Sequence, residues 1–185
     1  MSGLQALIEQ AYEQAKAGDW DRLQSEWKEC PTLARRCSRY QKVGSGWTFL
    51  HQAAYFGNAA ACTALICFGA DAGAVTNSGK TAAQIAEEQG YPALAALLQR
   101  AVLERESLWA PPADPDLLPS SNIWHEAIEQ WSVETKLVAY AGGVVKIPKD
   151  ARYYVDALER PLIGWHGTFD PPSGMDGESL LEHRS

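Results

Sequence analysis

Two blocks of this chain repeat each other thirty-three residues apart. Gly46-Trp47-Thr48 lies over Gly79-Lys80-Thr81, Ala53 over Ala86, and Gly57 over Gly90. After each closing glycine a second apolar helical pattern begins: Ala61, Ala64, Leu65, then Ala93, Leu94, Ala96, Leu97, Leu98. The first pattern ends in Phe68-Gly69-Ala70-Asp71. A helical hairpin of this size cannot bury its own apolar side. A fixed period therefore implies a stack of like units, each covering its neighbour.

The residue types fit that reading. Thr48 and Thr81 suit N-caps, where a hydroxyl accepts an orphan backbone N–H. Small Ala53, Ala54 and Ala86 let helices approach closely. Gly57 and Gly90 suit the left-handed residue that ends a first helix. Leu65, Ile66, Leu97 and Leu98 should fill the layer between units, and Gly69 should turn the chain into an extended finger, Ala70–Ser78. A degenerate third unit lies upstream, with Ala11, Ala15 and Gly18 at the places of Leu50, Ala54 and Gly57. Leu23 and Trp27 supply its second helical pattern. The spacing there is thirty-nine, which predicts an insertion of about six residues in the first finger. Ser2 could cap the first helix, and Glu9 and Glu13 give it a polar side. The basic cluster Arg35, Arg36, Arg39 and Lys42 falls in the insertion and is expected to be a solvated loop.

A period near 33 carrying G-x-T, L-H-x-A-A and G-A-D resembles the ankyrin-repeat family over about residues 5–105. The resemblance implies an α-solenoid of about three helix-turn-helix repeats. It implies that His51 braces neighbouring turns by hydrogen bonding, a brace that Ala82-Ala83-Gln84 would lack. It also implies protein binding through finger tips and exposed first-helix positions. Carried over by position, those are Lys16, Tyr55, Phe56, Glu88 and Gln89 on the helices. On the fingers and the turns into the helices they are Tyr40, Lys42, Trp47, Asn77, Ser78 and Lys80. Trp47, Tyr55 and Phe56 weigh most, because aromatic anchors dominate interface energetics.

Beyond residue 106 the pattern changes. Pro111, Pro112 and Pro115 within five residues rule out a helix interior, so 107–121 is expected to be a linker or an extended strap. The rest, 122–185, reads as a small α+β unit of one helix and about four strands, which could cover the last repeat. Asn122 would cap a helix Ile123–Trp131. Thr135–Tyr140 and Val144–Pro148 read as a hairpin across Ala141-Gly142-Gly143. Tyr153–Asp156 and Pro161–Trp165 read as a second pair.

The stretch WHGTFDPPSGMDGESLL follows, with Trp165, His166, Asp170, Asp176 and Glu178 among glycines and prolines. Three readings stand: a docked strap, a partner-binding loop, or a catalytic site using His166 with the acids. Metal ligation needs three or four convergent donors, and this stretch offers one histidine. Trp165-His166-Gly167-Thr168 is similar to the His-Gly element of the poly-ADP-ribosyltransferases, but no tyrosine follows it here.

Charge narrows the function. The net charge is −7. Residues 1–105 hold ten Lys/Arg and ten Asp/Glu, while 106–185 hold six against thirteen. A chain without a broad basic face is a poor nucleic-acid binder. No run reaches the roughly 18 apolar residues of a membrane span. The four cysteines fit neither a metal spacing nor a disulfide framework, pointing to a reducing, cytoplasmic setting. The expectation is a non-catalytic interaction module without metal or cofactor. Its layout suits a dedicated inhibitor, such as a bacterial immunity protein neutralising a basic toxin or effector. An enzyme centred on His166 and Asp170, Asp176 or Glu178 is the alternative.

Overall fold

The computed structural model describes residues 2–102, 114–140 and 143–163, and the chain divides into two compact units, Met1–Leu103 and Glu104–Ser185. Among the described residues there are seven α-helices and four short antiparallel strands, an α+β mixture.

The first unit is helical. Its elements are α1 (Gly3–Ala17), α2 (Trp20–Glu29), α3 (Pro31–Ser38), α4 (Phe49–Tyr55), α5 (Ala59–Phe68), α6 (Ala82–Glu88) and α7 (Pro92–Arg100). The caps follow the local sequence. Ser2, Thr48, Asn58 and Thr81 each accept a backbone N–H with the side chain, and α4 and α6 both carry complete capping boxes. Thr48 and Thr81, which start α4 and α6, lie thirty-three residues apart, and Gly57 and Gly90, both left-handed, stand at the same spacing.

α4 packs on α5 and α6 on α7, while α1, α4 and α6 touch in sequence. The layer between holds Phe49, Leu50, Ala53, Ala54, Leu65, Ile66, Ile85, Ala86 and Leu98, all buried. Leu97 is only half-buried, and Ala93 and Ala96 are exposed. The face of α7 that turns inward carries Leu94, Ala95 and Leu98 instead. In the upstream part an aromatic cluster replaces the alanines. Tyr12, Phe49, Tyr40 and Trp27 meet at centroid distances of 5.4 to 6.0 Å.

Three expectations are corrected. The insertion is not in the first finger. α3, rather than the Leu23–Trp27 helix, is the element that packs on both α1 and α5. The additional residues form α2, whose Trp20, Leu23 and Trp27 are buried. The loop from Arg39 to Thr48 is shorter by three residues than that from Gly69 to Thr81. Pro31 at the first position of α3 explains this, because proline starts a helix well.

Second, the basic cluster is no solvated loop. Arg35 and Arg36 lie in α3, and Arg39 Nη1 donates to the Phe68 carbonyl at 2.9 Å. Lys42 pairs with Glu9 at 2.9 Å.

Third, no helix runs from Ile123 to Trp131. A single 3₁₀ turn, Trp124–Glu126, leads into β1 (Ile128–Trp131). β1 pairs antiparallel with β4 (Arg152–Val155), so the partner of Tyr153–Val155 is a segment the sequence assigns to helix. Apolar residues at 123, 127, 128 and 131 suit a helix as well as a strand flanked by a turn, and the long-range pairing decides between them.

β2 (Lys136–Tyr140) and β3 (Gly143–Ile147) form the expected hairpin. Pro161 and Leu162 make only isolated bridges, to Val155 and Ser121. Val138, Ile147, Ala151, Tyr153, Val155 and Ile163 form the second unit's core. The described part of the proline-rich segment, 114–121, turns at 115–117, and Leu118 then bridges to Val138 of β2. Its Ser120 hydroxyl donates to the Ala139 carbonyl at 2.6 Å.

Candidate functional site

A groove of about 480 Å³ lies between α1, α4 and the loop that precedes α4. Tyr12 and Gln52 lie at its base, Trp47 and Tyr55 form one wall, and Glu13 and Lys16 stand opposite on α1. Lys42, Gly44 and Ser45 close the end.

Short-range forces fix these positions. Trp47 precedes the Thr48 cap, so the start of α4 sets its place. Its ring lies 5.8 Å from that of His51 and 6.2 Å from that of Tyr55. Tyr55 stands edge-on to Phe56 at 5.4 Å, so the three large aromatics form one stripe. Tyr55 and Phe56 are 44% and 39% exposed, half a side chain each left to water. The lip is tied to the next finger, where the Asn77 side-chain amide donates to the Gly44 carbonyl and its backbone N–H to Ser45, both at 3.0 Å.

His51 sits behind this wall and is buried. The Thr48 backbone N–H donates to its Nδ1 at 3.1 Å, which makes Nδ1 an acceptor. Nε2 lies 2.9 Å from the Lys80 carbonyl, which can only accept. The ring is therefore neutral with its hydrogen on Nε2, and it joins the cap of α4 to the turn before α6. Burial holds its pKa below the usual histidine value, against the opposing pull of the Lys80 and Ala74 carbonyls. Gln84 supplies the cap half of this role in the next hairpin, taking the Thr81 N–H on Oε1 at 2.8 Å.

At the closed end, Glu9 gathers three donors: the Tyr40 hydroxyl at 2.7 Å, Lys42 Nζ at 2.9 Å and Gln5 Nε2 at 3.3 Å. These hydrogen bonds, Tyr40 first, lower the Glu9 pKa. Burial, then the hydrogen bond to Glu9, pushes Tyr40 up to about 12. Lys42 Nζ also stands 5.6 Å over the Tyr12 ring.

Of the residues expected to bind, Lys16, Lys42, Trp47 and Tyr55 come together on this groove. Tyr40 is tied inward to Glu9, and Phe56 continues the stripe beside Gly18. Lys80 and Glu88 pair with each other at 2.8 Å, and the Ser78 hydroxyl meets that of Thr76 at 2.9 Å. Gln89 is exposed at the end of α6. Trp165, His166, Asp170, Asp176 and Glu178 lie outside the described residues. Among the described residues no group of three His, Cys, Asp or Glu side chains is placed to hold a metal ion. No helix among them is long and apolar enough to cross a membrane.

Tyr12, Glu13, Gly44, Ser45 and Gln52 are lining residues that the repeat pattern alone passed over. A signal existed for two of them. At the upstream spacing of thirty-nine, Glu13 falls on Gln52 and Lys16 on Tyr55, so successive first helices present the same two positions to the groove.

No family model matches the chain. It is similar to the "Calmodulin-binding transcription activator 4" of Arabidopsis thaliana, with 42% identity over 84 residues. That segment covers 42% of this chain and 8% of the plant protein.

Proposed function

We propose that the first unit is a short ankyrin-type α-solenoid of three hairpins and that the chain works as a non-catalytic protein-binding module through the groove. The reading is supported by the repeated Thr-capped hairpins and the His51 bridge between turns. The single observation that carries the functional part is the stripe of Trp47, Tyr55 and Phe56 beside a groove of about 480 Å³. Half-exposed aromatics on a rigid frame suit interface anchors, each worth about 2 kcal/mol or more when a partner covers it. Their places are fixed by the α4 cap, so little side-chain entropy is lost on binding.

Within this proposal, the net charge of −7 favours a basic partner and fast association. A dedicated inhibitor of a cytoplasmic toxin or effector fits that charge and size, with no nucleic acid, membrane, metal or cofactor required. The direct test is affinity capture from the native host with the full chain and with a Trp47→Ala/Tyr55→Ala variant of unchanged thermal midpoint. A partner retained by the wild type and lost by the variant is the expected result. Equal capture by both proteins would move the interface elsewhere, and turnover abolished by His166→Ala would favour an enzyme instead.

A further inference from the structure

The base of the groove carries two polar side chains with hydrogen-bonding capacity left over. Tyr12 and Gln52 are 3% and 8% exposed. Gln52 Nε2 donates to the Tyr12 hydroxyl oxygen at 3.0 Å. That bond uses the hydroxyl as an acceptor and one hydrogen of the amide. The Tyr12 hydroxyl hydrogen, the second Gln52 amide hydrogen and Gln52 Oε1 have no protein partner among the described residues. These atoms face the groove, and polar groups that a ligand covers seldom stay unmatched, because an unmet buried group is costly. Water can meet them in the free protein. A ligand that displaces it must present an acceptor and a donor side by side, the acceptor able to take up to two hydrogens.

Charge selects among such ligands. Lys16 and Glu13 at the rim are one of each sign, and the charge of Lys42 is met by Glu9 at 2.9 Å. The groove thus offers little net potential to a cation or an anion. The Trp47 and Tyr55 wall favours a flat, weakly hydrated group.

We infer that the Tyr12–Gln52 base receives the side-chain amide of a glutamine or asparagine on the partner protein. Its carbonyl accepts from the Tyr12 hydroxyl and its NH2 donates to Gln52 Oε1, with the amide plane against Trp47. A trans backbone peptide group points its N–H and its carbonyl in opposite directions, whereas a primary amide presents both on one edge, as the two donors and one acceptor of the base require. The inference rests on the proposed groove function and adds the chemistry of the contact.

The test uses the full chain labelled with ¹⁵N and titrated with propionamide, which is the glutamine side chain cut free. Propionate, propylammonium and N-methylacetamide serve as comparisons. Propionamide should give saturable shifts at the Gln52 side-chain amide and the Trp47 indole N–H, with affinity at least about tenfold above the two charged analogues. Tyr12→Phe keeps the ring that packs on Phe49 and Tyr40, so its thermal midpoint should hold. It should weaken propionamide about fivefold, the loss of one hydrogen bond. Tighter binding of either charged analogue, equal binding of N-methylacetamide, or no shift at the groove would overturn the inference. So would an unchanged affinity in a folded Tyr12→Phe protein. If partner capture still depends on Trp47 while the amide preference is absent, the inference falls alone and the interaction reading stands. If capture ignores Trp47, the groove is not the interface, whatever propionamide does.

Discussion

At the scale of single residues, His51 does the most with the fewest atoms. It completes a cap at one nitrogen and reaches the next turn with the other. His51→Ala strands the Thr48 N–H and the Lys80 carbonyl and leaves a hole. We expect a loss of about 3 kcal/mol, read by urea denaturation. His51→Gln copies what Gln84 does at the third hairpin, keeping the cap and losing the bridge, and should cost about 1 kcal/mol. The same residue sets a pH dependence. Its folded pKa lies below the ordinary value, so the unfolded chain binds the proton more readily. Stability is therefore whole above about pH 6.5 and falls as pH drops below it, by at most about 1.4 kcal/mol per unit. The fall should stop once pH passes the lowered folded value. The difference between wild type and His51→Gln between pH 7 and 5 isolates this contribution, and parallel curves would refute it. Why Tyr40 is not a free contact is also a residue-scale fact. Its hydroxyl is bound to a glutamate thirty-one positions away, a distance that no local pattern spans.

Elements differ in how far their own residues define them. The two left-handed glycines after α4 and α6 occupy the same place in the repeat but different surroundings. A Cβ at Gly57 would sit 2.5 Å from Tyr91 Cζ, whereas nothing lies within 4 Å of one at Gly90. Gly90→Ala should cost only the backbone strain, about 1 kcal/mol. Gly57→Ala should cost about 3 kcal/mol, because the Tyr91 ring must also move. Adding Tyr91→Ala should recover part of that loss, and equal costs at the two glycines would sink the distinction. In the second unit the turn after β4 depends on a buried pair. Asp156 Oδ2 meets Arg160 Nε at 2.9 Å, and its Oδ1 accepts the N–H groups of Leu158 and Arg160. Both side chains are almost wholly buried. Asp156→Ala leaves the guanidinium without its counter-charge and should destabilise this unit by about 3–5 kcal/mol. Hydrogen exchange at Val138 and Ile147 would show it. Unchanged protection there would mean that the pair is dispensable.

On the scale of the whole molecule, the charge of −7 belongs to association rather than to fold. If the partner is basic, its association rate should fall several-fold between about 0.05 and 0.3 M salt while dissociation barely changes. Stopped-flow mixing with the captured partner measures both rates. A salt-independent association rate would remove the electrostatic part of the proposal but not the groove. The hairpins α4–α5 and α6–α7 were legible because cap, helix face and closing glycine recur within thirty-three residues. α2 and α3 were misassigned because two short helices joined at Cys30-Pro31 look, by period, like one helix and a loop. β1 reads as helix because four residues cannot show whether their partner is the next turn of a helix or a strand more than twenty residues away.

The sequence by itself determined where α4 and α6 begin and end, since a threonine hydroxyl and a left-handed glycine act on their nearest backbone neighbours. It also determined which aromatics stand at the start and finish of α4. Only the tertiary structure decided that Tyr12 and Gln52, forty residues apart, share a hydrogen bond at the base of one groove. It alone decided that Lys42 spends its charge on Glu9. Contacts of that range depend on how whole helices lie against each other, and packing sets this rather than any local run of residues.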